Sequence, residues 1–325
     1  EKEPGQNMTL LSFREMKPFS RLMFSAFIVV VVFLGIQFLA ALAAIPLFGM
    51  QQVTGMLTGL NTEDPETLRM LKYFQTVQAL GLFIAPSFLI AWLFSAQPMR
   101  YLALDRKAPL LPALMVILLV FVINPFINFT GEINGGMHFP PWLEDMEEWM
   151  RTAEENAERL TRAFLEVETT GGLLFNLLMV AVLPAIGEEL LFRGVIQKQL
   201  SAWSGSHHWG IWLSAALFSA LHMQFYGFLP RMLLGALFGY LLVWSGSLWL
   251  PILAHFINNA GTVLALWLIG RGKLSPAVEE FGAGAAYWPW AIASLTVGLL
   301  ILGAIRHQLR EFPIFPERPT PPGTT

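Results

Sequence analysis

Long runs of apolar residues dominate this chain of 325 residues and restrict the folds that it can adopt. A helix needs about 20 apolar residues to cross a hydrocarbon core about 30 Å thick. Candidate runs lie near 22–49, 76–96, 109–129, 172–192, 210–223, 230–246, 248–269 and 286–305. No strand-like alternation lasts for about ten residues, so a transmembrane barrel is excluded. Since helices satisfy the backbone in lipid, we predict an all-α polytopic transmembrane bundle of about eight helices.

Two of these runs, 210–223 and 230–246, are short. They form either one broken helix or two helices that meet at a buried turn, so the helix count is open by about one. The sequence contains no internal repeat, and we predict a single membrane-embedded domain over residues 1–312. The Pro-rich tail 313–325 cannot pack a core and is predicted to be disordered.

Composition narrows the functional classes. A chain with 55% hydrophobic residues, 13% charged residues and a mean hydropathy of +0.55 is not an ordinary soluble domain. It contains no cysteine, which excludes disulfides, thiol nucleophiles and cysteine-based metal clusters. We expect the lipid bilayer as a partner and no nucleic acid.

Basic residues predict the orientation, because loops rich in Lys and Arg stay on the cytoplasmic side. They flank the first, second and last runs: Lys2, Arg14, Lys17, Arg21, Arg100, Arg106, Lys107, Arg306, Arg310 and Arg318. We therefore expect both termini to be cytoplasmic and 131–171 to lie outside. Within that segment, helical spacing of apolar residues over 142–164 predicts an interfacial or capping helix. The first run is too long for a signal-peptide core, so we expect a retained helix.

Glu188 and Glu189 are the only acidic residues inside the apolar runs. A carboxylate in lipid costs several kcal/mol unless it is paired or faces water, so such residues indicate function. Glu189 and Arg193 are four residues apart, the favourable spacing for a helical ion pair. Glu188 points about 100° away from Glu189, and we expect the two carboxylates to have different tasks.

Polar residues in two later helices complete a candidate site. His222 follows Phe218 at the end of one run, and His255 and Asn259 share a face of another. A desolvated carboxylate such as Glu188 is a suitable general base for water, and a histidine can pass a proton to a leaving amine. A second histidine and an amide can donate to an oxyanion, worth roughly 3–4 kcal/mol for one donor. Together these are the groups needed to hydrolyse a peptide bond.

The motifs Glu188–Arg193, Phe218 with His222, and His255 with Asn259 resemble the three signatures of the CPBP family of intramembrane proteases. That family includes type II CAAX prenyl endopeptidases and bacteriocin-processing and immunity proteins, and the resemblance covers about 172–269. It implies that Glu188 activates water with His222 as its partner. It further implies that His255 and Asn259 stabilise the oxyanion and that Glu189 and Arg193 form a supporting ion pair. The expected substrate is a membrane-associated or prenylated protein or peptide.

A metal is the open question in this assignment. Glu188, His222 and His255 could hold a divalent metal such as zinc, but Asn is a poor zinc ligand, and we favour a mechanism without an obligatory metal. The other intramembrane protease designs do not fit. No His-Glu-x-x-His motif is present, the three aspartates lie outside the apolar runs, and no serine sits in a catalytic context.

Each of these residues also has a structural explanation. A single membrane histidine more often packs between helices, and Asn259, or Asn258 beside it, could join helices by hydrogen bonds. Arg231 is expected to anchor a helix end at the interface or to cap a neighbour.

The alternative function is a non-proteolytic scaffold or immunity protein that binds a peptide or membrane partner. For a protease, we expect a water-filled cavity that opens toward the cytoplasmic side.

Overall fold

The structure is a computed structural model that describes residues 12–55 and 64–309. Its main helices are α1 (Pro18–Phe48), α2 (Pro65–Phe94), α3 (Leu110–Gly135), α4 (Glu144–Leu165), α5 (Thr170–Ser204), α6 (His207–Ala220), α7 (Phe228–Ser245), α8 (Trp249–Gly270) and α9 (Trp288–Leu309). Short helical segments lie between them at Met50–Gly55, Pro98–Tyr101, Pro141–Leu143, Phe225–Gly227, Pro276–Val278 and Ala285–Tyr287. The predicted all-α class is confirmed. The predicted disordered tail, 313–325, lies outside the described residues.

Seven helices in the described ranges are long and apolar enough to span a membrane: α1, α2, α3, α5, α7, α8 and α9. The chain is therefore an integral multi-pass membrane protein. The short run 210–223 belongs to α6, which has only 14 residues. Of the two alternatives for this region, the structure has two helices, α6 and α7, joined by a turn.

The outward surface of the bundle is apolar. Phe27, Phe38, Leu118 and Leu300 are each more than half exposed on three different spanning helices. Contiguous apolar surface of this extent is not found on soluble monomers. These side chains form the surface that contacts lipid.

Contacts between connections define two opposite faces of the bundle. On the first, which we call the basic face, the turn between α7 and α8 bonds to the connection between α2 and α3. Leu248 N–H donates to Ala103 O at 2.9 Å, and Ser247 Oγ donates to Arg106 O at 2.7 Å. On the second, which we call the α4 face, Asn134 Oδ1 at the end of α3 accepts from Leu229 N–H at 2.7 Å. The membrane orientation of these faces stays a prediction.

The predicted outer helix is α4, and it lies against the α4 face of the bundle. Trp149 packs on Phe225 with ring centroids 5.3 Å apart. At its other end, Phe164 O accepts from Asn176 Nδ2 of α5 at 2.8 Å, and Asn176 Oδ1 accepts from Lys72 Nζ of α2 at 3.2 Å. These contacts hold α4 across the ends of three other elements.

A second set of bonds fixes the start of α4. Phe139 N–H donates to Glu147 at 2.8 Å, and Arg151 Nη2 donates to the same carboxylate at 2.8 Å. Together with the His138 ring, these donors stabilise the charged form and lower the pKa of Glu147 to about 2. The Arg151 guanidinium lies 4.5 Å from the centre of the Tyr226 ring, which links α4 to the turn between α6 and α7.

Close packing of α5, α6 and α7 depends on small residues. A Cβ at Gly210 would lie 2.0 Å from Ser201 Oγ. A Cβ at Gly239 would lie 2.7 Å from Gln197 Oε1 and 2.9 Å from Ile211 Cγ2. Glycine at these positions lets backbones approach, as is common between membrane helices. This packing brings α6 and α7 against the half of α5 that follows Glu188.

Gly239→Ala tests this packing, because the added methyl group would overlap Gln197 and Ile211. We expect a loss of about 1–3 kcal/mol in the free energy of unfolding. Gly261→Ala is the matched control, since nothing lies within 4 Å of a Cβ there. It should be neutral or stabilising by up to about 1 kcal/mol. Unfolding titrations in detergent measure both, and equal effects would contradict the packing described.

Candidate active site

Because α5 is long, Glu188 and His222 lie at the same depth in the bundle. Glu188 lies 16 residues before the end of α5 at Ser204, and His222 lies 15 residues after the start of α6 at His207. At 1.5 Å per residue, both lie about 23 Å from the basic face. The predicted run 172–192 ended too early, since α5 continues to Ser204.

Two π-helical segments interrupt α5 on either side of Glu188. They cover Leu177–Val182 and Phe192–Ile196. A π segment widens the turn and frees backbone groups, and such segments occur often at functional sites. Between them, Gly187 packs against α2, where an added Cβ would lie 2.9 Å from Phe83 Cβ. The backbone around Glu188 is thus packed against α2 at Gly187 and has a π-helical segment before it and another after it.

Glu189 and Arg193 form a buried ion pair. The two residues are 0% and 1% exposed, and Arg193 Nη1 lies 2.9 Å from Glu189 Oε1. Arg193 Nη2 donates to Gly235 O at 3.0 Å. The guanidinium also lies 4.6 Å from the centre of the Phe218 ring and 5.5 Å from that of Phe238. Arg193 therefore joins α5, α6 and α7 around one charge.

His255 lies between the two glutamates. Its Nδ1 donates to Glu189 Oε1 at 2.9 Å, and its Nε2 lies 3.8 Å from Glu188 Oε2. The ring stacks on Phe238 at 5.3 Å with 22° between the planes. Since the carboxylate can only accept, this contact assigns the Nδ1 proton and turns Nε2 toward Glu188. Sequence spacing pairs Glu189 with Arg193 alone and carries no signal for this second partner on α8.

Glu188 differs from Glu189 in having no ion pair to a guanidinium. It is 8% exposed, and its Oε2 has no hydrogen-bond partner among the described residues. A buried carboxylate oxygen without a partner is costly. Its side chain lines a cavity, so the carboxylate is available to a molecule that enters there.

The cavity has a volume of about 540 Å³ and lies between α2, α4, α5, α7, α8 and the turn after α6. Its polar lining residues are Gln75, Thr161, Glu188, His222, Gln224, Arg231, His255, Asn258 and Asn259. Four predicted site residues, Glu188, His222, His255 and Asn259, thus line one cavity. Glu189 and Arg193 lie behind it. The cavity extends toward the α4 face, away from the basic face. Whether that is the cytoplasmic side, as expected for the opening, stays a prediction.

His222 is presented by the turn that ends α6. Its Nδ1 donates to Phe218 O at 2.8 Å, and its ring meets the Phe218 ring edge-on at 4.9 Å. Met223, the next residue, has φ +54, a left-handed conformation that terminates the helix. Because Nδ1 is occupied, Nε2 is the ring atom available to the cavity.

Asn259 has a structural contact in addition to its place in the cavity. Its Nδ2 donates to Val180 O at 3.0 Å, in the first π segment of α5. Its Oδ1 accepts from Asn258 Nδ2 at 3.2 Å. One amide proton of Asn259 is left for another acceptor. Both asparagines line the cavity, and sequence spacing alone selected only Asn259.

Arg231 is the residue whose position differs most from its prediction. The sequence predicted that it anchors a helix end at the interface or caps a neighbour, whereas in the structure it lies at the start of α7 and lines the cavity. Its two terminal nitrogens donate to Gln224 O at 3.0 Å and Gln224 Oε1 at 3.1 Å. The available signal was an arginine inside an apolar run, next to the turn that carries His222.

The donor set does not fit a metal ion. Within residues 12–55 and 64–309, no three His, Asp or Glu side chains are grouped so that they could hold one. His255 Nδ1 is already bonded to Glu189, and the asparagines beside it are poor ligands for zinc. We therefore derive no step through a metal.

Comparison with known proteins supports the family assignment. Residues 170–261 match the family model described as type II CAAX prenyl endopeptidase Rce1-like. Over 89 residues the chain is 33% identical to the uncharacterized protein YpbD of Bacillus subtilis (strain 168). That alignment covers 26% of this chain and 42% of YpbD, less than half of that relative. No solved structure matches significantly. The resemblance drawn from the three motifs is confirmed for this segment.

Arg193→Met tests the buried ion pair, because it leaves the Glu189 charge without its guanidinium. We expect a loss of about 3–5 kcal/mol in the free energy of unfolding. Arg162→Met is the matched control, since Arg162 and Glu158 have the same spacing at 2.8 Å but are exposed on α4. That change should stay within about 1 kcal/mol. Denaturant titrations of the purified variants measure both, and a mild effect of Arg193→Met would contradict the assigned role.

Proposed function

We propose that this chain is an intramembrane endopeptidase, because residues 170–261 match the family model described as type II CAAX prenyl endopeptidase Rce1-like. It hydrolyses a peptide bond of a membrane-associated or prenylated substrate. The observation that carries the proposal is that the adjacent residues Glu188 and Glu189 have different contacts. Glu189 lies behind the cavity, where its Oε1 accepts from both Arg193 and His255, whereas Glu188 lines the cavity and, among the described residues, has no ion pair to a guanidinium.

Glu188 is the general base of the proposed reaction. It accepts a proton from a water molecule, and the oxygen of that water attacks the scissile carbonyl carbon. The C–N bond then breaks, and the leaving amine takes up a proton. His222 is suited to carry this proton, since its Nδ1 is fixed by Phe218 O and its free Nε2 can take from Glu188 the proton that came from water and pass it to the amine. The products are a carboxylic acid and an amine, which exchange a proton to become a carboxylate and an ammonium, and Glu188 and His222 both return to their starting protonation states.

The negative charge that develops on the carbonyl oxygen needs donors. We assign this role to His255 through Nε2–H of the cationic ring and to Asn259 through its remaining amide proton. One such donor is worth roughly 3–4 kcal/mol of transition-state stabilisation. Glu189 supports His255 by accepting from Nδ1 at 2.9 Å. Arg193 compensates the buried negative charge of Glu189.

Substrate entry is proposed from the α4 face. The cavity wall there includes Leu160 and Phe164 of α4 and Leu234 of α7, which suit an apolar segment or an attached lipid. With both termini cytoplasmic, as the basic residues predict, this entrance would lie on the outer side of the membrane. A substrate at the bilayer would then reach Glu188 from its own membrane leaflet. The alternative is a scaffold that binds a peptide without cleaving it. The next experiment distinguishes this alternative from a protease.

Glu188→Gln is expected to reduce cleavage by at least about 100-fold, because the amide cannot accept the proton from water. The measurement is mass-spectrometric profiling of peptide termini in membranes from cells with matched levels of each variant. Glu148→Gln, at an exposed site on α4, is the control and should cleave like the wild type. Termini that persist in Glu188→Gln would refute the assigned base. Wild-type protein that creates no new termini would favour the scaffold.

Chelation tests the proposal that no metal is required. We expect wild-type cleavage to be unchanged after treatment with 1,10-phenanthroline and dialysis, since no metal-holding group of side chains is found in the described residues. Loss of cleavage that is restored by adding zinc would contradict this proposal. A soluble zinc protease treated in parallel verifies that the chelator was effective.

A further inference from the structure

The cavity contains one fixed positive charge. Among its lining residues, Glu188 and Arg231 are the only members of the Asp, Glu, Lys and Arg group. Arg231 is partly buried at the start of α7. An arginine within a membrane protein is costly unless an anion or a water-filled space compensates it. Its position therefore calls for a partner.

The observed hydrogen bonds of Arg231 do not supply an anion. Both go to neutral oxygens of Gln224. In the described part of the chain, no carboxylate lies within 4.0 Å of its nitrogens. The Glu154 and Glu188 carboxylates contribute longer-range attractions. Glu154 Oε2 already accepts from Tyr226 N–H at 3.1 Å, and Glu188 is the proposed base. Since a guanidinium carries five N–H donors, Arg231 keeps donors for a further acceptor.

The surrounding backbone holds the guanidinium in place. A Cβ at Gly227 would lie 2.5 Å from Arg231 Nη2, so a larger residue there would displace the guanidinium from its present position beside the turn. Gln224 fixes it from the other side through a main-chain and a side-chain oxygen. A held, planar guanidinium is suited to bidentate recognition of a carboxylate.

We propose that Arg231 binds a carboxylate of the substrate and thereby sets which peptide bond meets Glu188. This inference rests on the proposed endopeptidase function. The turn that carries Gln224 also carries His222, the proposed donor to the leaving amine. The recognised carboxylate therefore belongs to the fragment that leaves as the amine. It is either the α-carboxylate of a nearby C-terminus or an Asp or Glu side chain.

The test uses the full chain in nanodiscs and a fluorescent randomised peptide library in three forms. The first has a free C-terminal carboxylate, the second a C-terminal amide, and the third has Asp and Glu replaced by Asn and Gln. Cleavage is followed with wild type, and binding is followed with Glu188→Gln, which keeps the cavity but lacks the base. Each measurement is repeated with Arg231→Gln added. Arg159→Gln, an exposed change of the same charge on α4, is the control.

The expected result is a carboxylate-specific loss. Arg231→Gln should weaken binding and raise KM by about thirty-fold for the form with the recognised carboxylate, with kcat changed only a few-fold. The neutral form should be unaffected, and Arg159→Gln should behave like its parent. If the Arg231→Gln loss is absent only for the C-terminal amide form, the recognised group is an α-carboxylate. If it is absent only for the Asn and Gln form, the recognised group is an acidic side chain.

Several results would overturn the inference. Equal loss for charged and neutral peptides would assign Arg231 to holding the turn through Gln224. Unchanged binding in Arg231→Gln, or no binding of any carboxylate peptide, would reject the site. The proposed function fails in a different way: wild type would cleave none of the library, while Glu188→Gln still bound carboxylates through Arg231.

Discussion

One buried carboxylate, Glu189, organises the centre of this protein. Its Oε1 accepts from Arg193 Nη1 and from His255 Nδ1, each at 2.9 Å. Glu189 and Arg193 are buried from solvent, so each charge depends on the other for compensation. Through these contacts α5 is joined to α8, and Arg193 extends the connection to α7 at Gly235 O. The position of His255 beside Glu188 follows from this cluster.

The contrast between the adjacent glutamates is a consequence of helical geometry. Neighbouring residues point about 100° apart, so Glu189 faces the ion-pair cluster and Glu188 faces the cavity. The backbone that presents them is fixed by Gly187 against α2 and reshaped by π segments on both sides. Asn259 bonds to Val180 O within one of these segments. The site is therefore built into the most constrained part of α5.

Much of this arrangement was predictable from local sequence. Apolar runs gave the helical class, i, i+4 spacing paired Glu189 with Arg193, and the order of polar motifs selected four residues that line one cavity. Local patterns fail where tertiary packing decides. The run 172–192 did not predict that α5 continues to Ser204, because its later turns are polar where they meet other helices. The Glu189 contact with His255 joins residues 66 positions apart. Arg231 lines the cavity beside Gly227 and is bonded to Gln224, contacts that follow from the turn between α6 and α7.

The arrangement of the site depends most directly on the hydrogen bond by which Glu189 holds His255. Nitrogen-15 NMR of histidine-labelled protein in detergent, with His255→Gln to assign the signal, reports which ring nitrogen carries a proton. We expect a protonated Nδ1 that persists in Glu188→Gln and is altered in Glu189→Gln, where the accepting carboxylate is lost. An unprotonated Nδ1 in the wild type, or a His255 signal that responds only to Glu188→Gln, would contradict the central arrangement.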